Sequence, residues 1–476
     1  MSTWAIILIL INIFVIFYFI CLNGSYLVLT LISFLGLRRD RTAQAISDRS
    51  RVFRSEFYRP LSIIIPAYNE EATIIETVGS ALSLQYPEFE VIVVNDGSED
   101  DTLAKLSQKF KLLPFARDFS VDIPCKPIRK IYSSADYPNL VVVDKENGGK
   151  SDALNAGINV SLFPLFCNID SDSMIDPDSL LRVADLFTRD WRVIAVGGTI
   201  RAANQCRIEQ GRVVEVKLSP KFWARFQIVE YLRAFLFGRV GWSTIGGLLI
   251  LSGAFSVFRR KAVIQAGGYR QDTVGEDMDL VLRLQRVMKK TGQQSRIIFL
   301  PDPVCWTQVP ETYSGLQTQR RRWQRGLAES LAGNFEIFMN PRYGSAGMLS
   351  FPFFLFFEFL GPVIEVGGYL VFFASIFAGI LNPPFAILFL ASAIFLGILL
   401  STLSLLLEEI HYRRYPRLRD ILTLFLFAVM ENLFYRQLHS IWRFRGLLDF
   451  FFKKRTWGTL ARQSFNEPSS NEKLSG

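Results

Sequence analysis

Leu61-Ser62-Ile63-Ile64-Ile65-Pro66-Ala67-Tyr68-Asn69-Glu70-Glu71 decides the fold. A short β-branched run ends in a polar turn, and Ile74, Ile75, Val78 and Leu82 then recur on one face of a predicted helix, with Asn69 as its expected cap. The same phrase repeats. Val91 to Val94 stops at Asn95-Asp96-Gly97-Ser98, where Ser98 is the expected cap of the next helix. Leu140 to Val143 precedes Asn147-Gly148-Gly149-Lys150, Leu165 to Ile169 runs into Asp170-Ser171-Asp172, and Val193 to Val196 is a fifth strand. Strands alternating with helices predict an α/β domain with a largely parallel sheet. Ligands of such sheets bind beyond the carboxyl ends of the strands, which here hold Asp96, Lys150, Asp170 and Asp172.

Outward from this core the chain becomes apolar. Half of the 476 residues are hydrophobic, 42 are Phe and only two are His. Residues 3–36 and 346–407 are almost uninterrupted apolar sequence, and about 20 such residues span a bilayer. The first stretch lacks a basic n-region and is followed by Leu37-Arg38-Arg39-Asp40-Arg41. It is therefore expected to be a retained anchor whose C-terminal end faces the cytoplasm. Three C-terminal stretches follow, at 346–380, 384–407 and 421–434. The last carries Glu431 and Asn432 and has basic flanks, so it is expected to be interfacial or re-entrant. The expected division is an anchor (1–37), a basic linker (38–58), the α/β domain (59–330), transmembrane and interfacial helices (331–445) and a basic cytoplasmic tail (446–476).

Charge and rare residues narrow the chemistry. The net charge of +9 lies largely at the edges of apolar stretches, which argues for a bilayer as partner and against nucleic acid. The five Cys are scattered without CxxC spacing, so neither a zinc site nor a disulfide framework is expected. His411 and His439 both lie near the C-terminus. Acid–base work in the central domain must fall to carboxylates.

Several groups fit one ligand. Two carboxylates one residue apart, Asp170 and Asp172, suit a divalent cation and the ribose of a nucleotide diphosphate. Asp96 suits a nucleobase edge and Lys150 suits phosphate oxygens. Gly275-Glu276-Asp277-Met278-Asp279 opens a helix with Val281, Leu284 and Met288 at helical spacing, where acids also serve simply as dipole partners. In Gln319-Arg320-Arg321-Arg322-Trp323, Gln319, Arg322 and Trp323 share one helix face, suited to a diphosphate and a stacked sugar, or to a membrane surface.

In this order the motifs resemble the family 2 inverting glycosyltransferases, within the membrane synthase branch that makes cellulose, chitin, hyaluronan and poly-N-acetylglucosamine. The resemblance covers roughly residues 59 to 330 and implies a GT-A fold flanked by transmembrane helices. It implies Pro66, Tyr68, Glu70, Asp96 and Lys150 at the donor, with Asp96 at the uridine, and Asp170 and Asp172 at the diphosphate and its Mg2+ or Mn2+. Asp277 would be the catalytic base, beside Glu276, with Arg322 near the diphosphate. Gln319, Trp323 and the segment Ser252-Gly253-Ala254 would meet the acceptor, and Trp457, Thr459 and Arg462 match a gating-loop motif that dips into a cytoplasmic active site. The implied activity is transfer from UDP-N-acetylglucosamine or UDP-glucose to a growing β-linked polysaccharide by a multi-pass inner or plasma membrane enzyme with a cytoplasmic catalytic domain, served by accessory export proteins. A membrane lipid as acceptor, and an inactive glycosyltransferase-like partner, remain as alternatives.

Overall fold

Strand β1 (Leu61–Ala67) is buried from end to end, as its unbroken apolar run requires of a strand covered on both faces. It pairs in parallel with β2 (Phe89–Asn95) on one side and β6 (Leu165–Ile169) on the other, and β2 pairs in parallel with β5 (Leu140–Lys145). These strands form the centre of a sheet in the computed structural model, which describes residues 3–46, 58–209, 212–381, 383–411, 415 and 417–452. By internal contacts the chain divides into a sheet unit, Ala45–Lys217 and Ile250–Val309, and a helical unit, Met1–Gln44, Leu218–Leu249 and Pro310–Gly458. The expected boundary at residue 330 differs from this division, because 218–249 and 310–330 belong with the helices.

The remaining strands are β3 (Leu112–Pro114), β4 (Ile128–Ser134), β7 (Ser173–Ile175), β8 (Val193–Ala202), the paired β9 (Arg207–Glu209) and β10 (Arg212–Glu215), β11 (Phe255–Arg259) and β12 (Arg296–Thr307). The main sheet has ten strands in the order β3-β4-β5-β2-β1-β6-β11-β8-β12-β7. Only β4, β7 and β11 run against the common direction. All five expected strands are present. Absent from the expectation was β11, which inserts antiparallel between β6 and β8 and places the residues just before it beside the end of β6.

Helices α2 (Ile74–Leu82), α3 (Thr102–Phe110), α4 (Lys150–Val160) and α5 (Ser179–Arg189) follow β1, β2, β5 and β7. Two expected caps are corrected. Thr73 stands before α2, while Asn69 adopts φ +55° and its Oδ1 accepts the Glu99 N–H at 2.8 Å. Asp101 stands before α3, while Ser98 Oγ accepts the Asn69 N–H at 3.1 Å. Short polar side chains tolerate such turn geometry, so both residues lace the turn after β1 to the turn after β2 and cap neither helix.

In the helical unit α1 (Thr3–Ile46) packs Val15, Phe19 and Leu22 against Phe372 and Phe389, whose rings stack at 4.2 Å. Among the described residues two runs are long and apolar enough to cross a bilayer, Thr3–Arg38 and Pro383–Ile410. Ala346–Phe359 with Gly361–Phe377, bent by 42°, makes a third if the pair is one span. The stretch at 421–434 lies in a continuous helical run made of Leu418–Met430, a π-helical turn Glu431–Tyr435 and Arg436–Phe451. Its Glu431 and Asn432 are buried: Arg233 Nη1 lies 2.7 Å from Glu431, and Ser401 Oγ bonds to both side chains. Trp457, Thr459 and Arg462 lie outside the described residues.

Candidate active site

The turn after β1 is built by its neighbours. Glu70 N–H donates to Thr102 Oγ1 at 2.9 Å and Glu71 N–H to Asp100 Oδ2 at 3.2 Å, which fixes the backbone between Tyr68 and Glu71. Pro66 is buried within β1, and the buried Glu70 carboxylate accepts from Thr73 Oγ1 at 3.1 Å. Of the three donor residues expected here, Tyr68 alone presents an exposed side chain, while Pro66 and Glu70 are buried. Its ring is well suited to stacking on a planar ligand.

At the end of β2, Asp96 is buried, and its carboxylate accepts from Gly148 N–H at 3.0 Å and Gly149 N–H at 2.7 Å. The Asn147-Gly148-Gly149 turn is thus drawn onto Asp96. Gly97 takes φ +67°, and a Cβ there would stand 2.9 Å from the Asn147 backbone nitrogen, so only glycine fits this close approach.

From that turn α4 begins with Lys150, whose Nζ lies 2.5 Å from Asp170 Oδ1 and 3.5 Å from Glu276 Oε1. Burial alone would lower the Lys150 pKa, but the Asp170, Glu276 and Asp277 carboxylates more than reverse this and hold it above the ordinary lysine value. Asp277 stands in the first turn of α6 (Glu276–Lys290), where its Oδ1 accepts the Met278 N–H at 2.8 Å. Gly253 completes the group. A Cβ at 253 would come within 3.1 Å of Lys150 Nζ and 3.7 Å of Asp277 Oδ2, so the absent side chain keeps the space beside both charges open. Gly253 O accepts from Asn168 Nδ2 at 3.1 Å, Ser252 Oγ accepts the Ala254 N–H at 3.3 Å, and the buried Ala254 is fixed through its carbonyl by Cys305 Sγ.

Five expected residues therefore converge in the sheet unit: Lys150, Asp170, Gly253, Glu276 and Asp277. Asp172, two residues beyond Asp170, is half-buried, and its Oδ1 accepts from Thr307 Oγ1 and Ser173 Oγ, each at 3.3 Å. Among the described residues no cluster of three His, Cys, Asp or Glu is placed to hold a metal ion. Two carboxylates at a strand end nevertheless fit Mg2+ or Mn2+, since Mg2+ is commonly held by one or two carboxylates and finished by substrate phosphates and water. The Lys150 ammonium beside Asp170 already marks a position that favours positive charge.

The other expected residues belong to the helical unit. There α7 (Tyr313–Gly333) is capped by Thr312 Oγ1, which accepts the Gly315 N–H at 3.2 Å. Its three arginines differ. Arg320 Nη2 donates to Glu230 at 2.9 Å, Arg321 forms a bidentate pair with Asp449, and Arg322 has no hydrogen bond or ion pair among the described residues. Trp323 is 43% exposed, with the Arg320 guanidinium 4.1 Å from its ring centroid, and Gln319 Oε1 is buried with no hydrogen-bond partner among the described residues.

Sequence reasoning missed several residues that build this site. Lys145, Asp152, Asn155 and Tyr269 are all buried. Asn155 clamps the Tyr269 backbone at both N–H and C=O, each at 2.8 Å. The Tyr269 hydroxyl finds no hydrogen-bond partner among the described residues, and burial, reinforced by the Glu276 and Asp277 carboxylates, pushes its pKa well up. Asp152, Asn155 and Asn159 form a polar stripe along α4, a helix otherwise rich in small and apolar residues, and that stripe was the available signal.

Comparison with known proteins gives the family and the fold. The family described as Glycosyl transferase family 2 matches residues 62–266, and Glycosyl transferase family group 2 matches residues 165–434. A poly-beta-1,6-N-acetyl-D-glucosamine synthase of Staphylococcus epidermidis is 29% identical over 290 residues, 60% of this chain and 60% of that protein. One from Staphylococcus aureus is 30% identical over 278 residues, 58% of this chain and 56% of that protein. These matches span somewhat over half the length of the relatives. A mannosyltransferase from Pyrobaculum calidifontis, solved with GDP-Man and Mn2+, superposes with a TM-score of 0.51 at 18% identity, covering 88% of this chain and 99% of the other, and so shares the fold.

Proposed function

Because the chain belongs to glycosyl transferase family 2, we propose that it is a membrane-bound inverting enzyme that moves a sugar from a UDP-sugar onto a growing β-linked polysaccharide. The observation that carries this reading is the convergence of Lys150, Asp170, Glu276 and Asp277 around the open space beside Gly253. UDP-N-acetylglucosamine is the preferred donor, ahead of UDP-glucose, in keeping with the relatives named as poly-N-acetylglucosamine synthases.

Asp277 accepts the proton of an acceptor hydroxyl as that oxygen attacks the anomeric carbon, while the bond from that carbon to the diphosphate oxygen breaks and UDP departs. One displacement inverts the anomeric centre, so an α-linked donor yields a β-linkage. Asp170 and Asp172 would hold Mg2+ or Mn2+, which when bound masks the charge of the diphosphate. Lys150, released from Asp170, meets phosphate oxygens and stabilises the charge that develops on the leaving group, and Arg322, which has no hydrogen bond or ion pair among the described residues, is the further cation proposed for the diphosphate. Tyr68 and Asp96 receive the uridine. Gln319, Trp323 and the 252–254 segment serve the acceptor, with the Trp323 indole stacking on a sugar ring. The apolar runs would hold the enzyme in the inner or plasma membrane, and the basic residues after the first run support a cytoplasmic side for the sheet unit. Accessory export proteins would receive the polymer.

Purified full-length protein in lipid, given labelled UDP-sugars and Mg2+, tests the reading. Metal-dependent UDP release with a polymer that requires UDP-N-acetylglucosamine is the expected result. A glycolipid product would replace the polymer acceptor with a lipid, and no release from any UDP-sugar would contradict the proposal.

A further inference from the structure

Beneath the turn that follows β2 lies an ammonium to which the motifs give no prominence. Lys145 ends β5 and its side chain is wholly buried. Its Nζ lies 2.5 Å from Asp96 Oδ1 and 2.6 Å from Asp152 Oδ1, and it donates to Glu146 O at 2.5 Å. The ammonium therefore donates to Asp96 and to the Glu146 carbonyl and is ion-paired with Asp152. Asp152 is fixed in turn, since it accepts the Lys126 N–H at 3.0 Å and Gln271 Nε2 at 2.7 Å.

The consequence falls on Asp96. Its Oδ1 accepts from Lys145 and from Gly148 N–H at 3.0 Å, and its Oδ2 accepts from Gly149 N–H at 2.7 Å, with the Gly148 N–H reaching it less closely at 3.3 Å. A carboxylate offers about four lone-pair positions, so these three donors leave one, on Oδ2. Gly148 and Gly149 sit in a loop, whereas Lys145 is anchored in a strand of the sheet. Of the three contacts, the ammonium is the one on a rigid element.

We infer that Lys145 is a positioning residue for base selection: by holding Oδ1 it sets the plane of the Asp96 carboxylate and leaves a single acceptor aimed at the base. This rests on the reading that Asp96 meets the uridine. An acceptor in that position suits the N3–H of uracil and disfavours cytosine, whose N3 is itself an acceptor, so Lys145 contributes to specificity as a difference between two affinities. Without the ammonium, Asp96 and Asp152 would be two buried anions free to turn away from each other, and the remaining acceptor would lose its direction.

UDP and CDP binding to the full-length protein, with steady-state kinetics on the UDP-sugar, tests the inference. Lys145→Met alone leaves two unpaired carboxylates and is open to misfolding, so Lys145→Met/Asp152→Asn, which removes one charge of each sign, is the deciding variant. It should fold, raise the KM for the UDP-sugar about tenfold, leave kcat within about twofold, and shrink the preference for UDP over CDP by about tenfold. Asp152→Asn alone, which keeps the Lys145–Asp96 pair, should retain the preference. Asp96→Asn should abolish it, and adding Asp96→Asn to the double variant should cost little more. A folded double variant with unaltered UDP preference, beside an Asp96→Asn variant that has lost it, overturns the role of Lys145 and leaves Asp96 at the base. Unaltered preference in Asp96→Asn overturns the reading of Asp96 and this inference with it.

Discussion

In the helical unit Glu230, Glu358, Glu431 and Asp449 each end on an arginine of the same unit, at 2.7–2.9 Å. In the sheet unit Asp170 and Glu276 share one lysine, and Asp277 has no ion pair among the described residues. Both regions bury charge, which is costly unless it is paired. The helical unit meets that cost with closed pairs, as a region read as lying in a bilayer must. Around Gly253, in the sheet unit, three carboxylates face one lysine beside an open space, which is the state expected of a site that awaits a ligand carrying its own charge and metal. Arg322 departs from the closed pattern, since it is the one arginine of its run with no hydrogen bond or ion pair among the described residues.

Five substitutions press on this contrast. Asp170→Ala should have the largest effect, lowering kcat/KM roughly a thousandfold and abolishing the dependence of UDP binding on Mg2+. Calorimetric titration of UDP with and without the metal checks it. Next comes Arg443→Met, which strands Glu358, the acceptor of Arg443 Nη2 at 2.8 Å. Thermal unfolding in detergent should show a loss of about 3–5 kcal/mol while the activity of the molecules that stay folded persists. If stability is unchanged, the closed pairs of the helical unit are not structural.

Arg322→Ala should cost roughly a hundredfold in turnover with no loss of stability. Arg321→Ala, which strands Asp449, should show the reverse pattern. Equal behaviour of the two variants would erase the distinction between free and paired arginines. The smallest effect belongs to Asp190, whose carboxyl is held well below the usual range by hydrogen bonds from Arg192, with Arg296 adding to it. A depressed value stabilises the fold above the unfolded carboxylate pKa, about 3.9, and that contribution fades as pH falls through the lower folded value. Asp190→Asn should cost less than about 1 kcal/mol near neutral pH, and less again under strong acid. Urea unfolding at several acid pH values follows the difference.

The two units were unequally legible in the sequence. The buried parallel strands and the turns at their carboxyl ends could be read directly, because an unbroken β-branched run followed by Asp, Gly or Lys leaves few alternatives. Asp170 and Lys150 were found that way, and Asp277 from the acids that open α6 together with the family resemblance. Lys145 was passed over because a lysine at a strand end is ordinarily solvated, and its burial follows only once Asp96 and Asp152 are brought together in space. Strand β11 was hidden for a related reason: five residues between a glycine segment and a short helix carry little periodicity, and only pairing with β6 and β8 makes them a strand. Asn69 and Ser98 looked like caps because their types suit caps. They suit interlocking turns equally well, and the spacing of neighbouring turns in space decided between the two.

The most direct test of the central claim is Asp277→Asn, assayed side by side for UDP-sugar binding and for transfer. Asparagine keeps the size of the side chain and removes its capacity to take a proton. The account predicts binding within about threefold of the parent and transfer reduced by roughly a thousandfold or more. Transfer near the parental rate would contradict it, because the carboxylate that stands beside Gly253 would then not be the base.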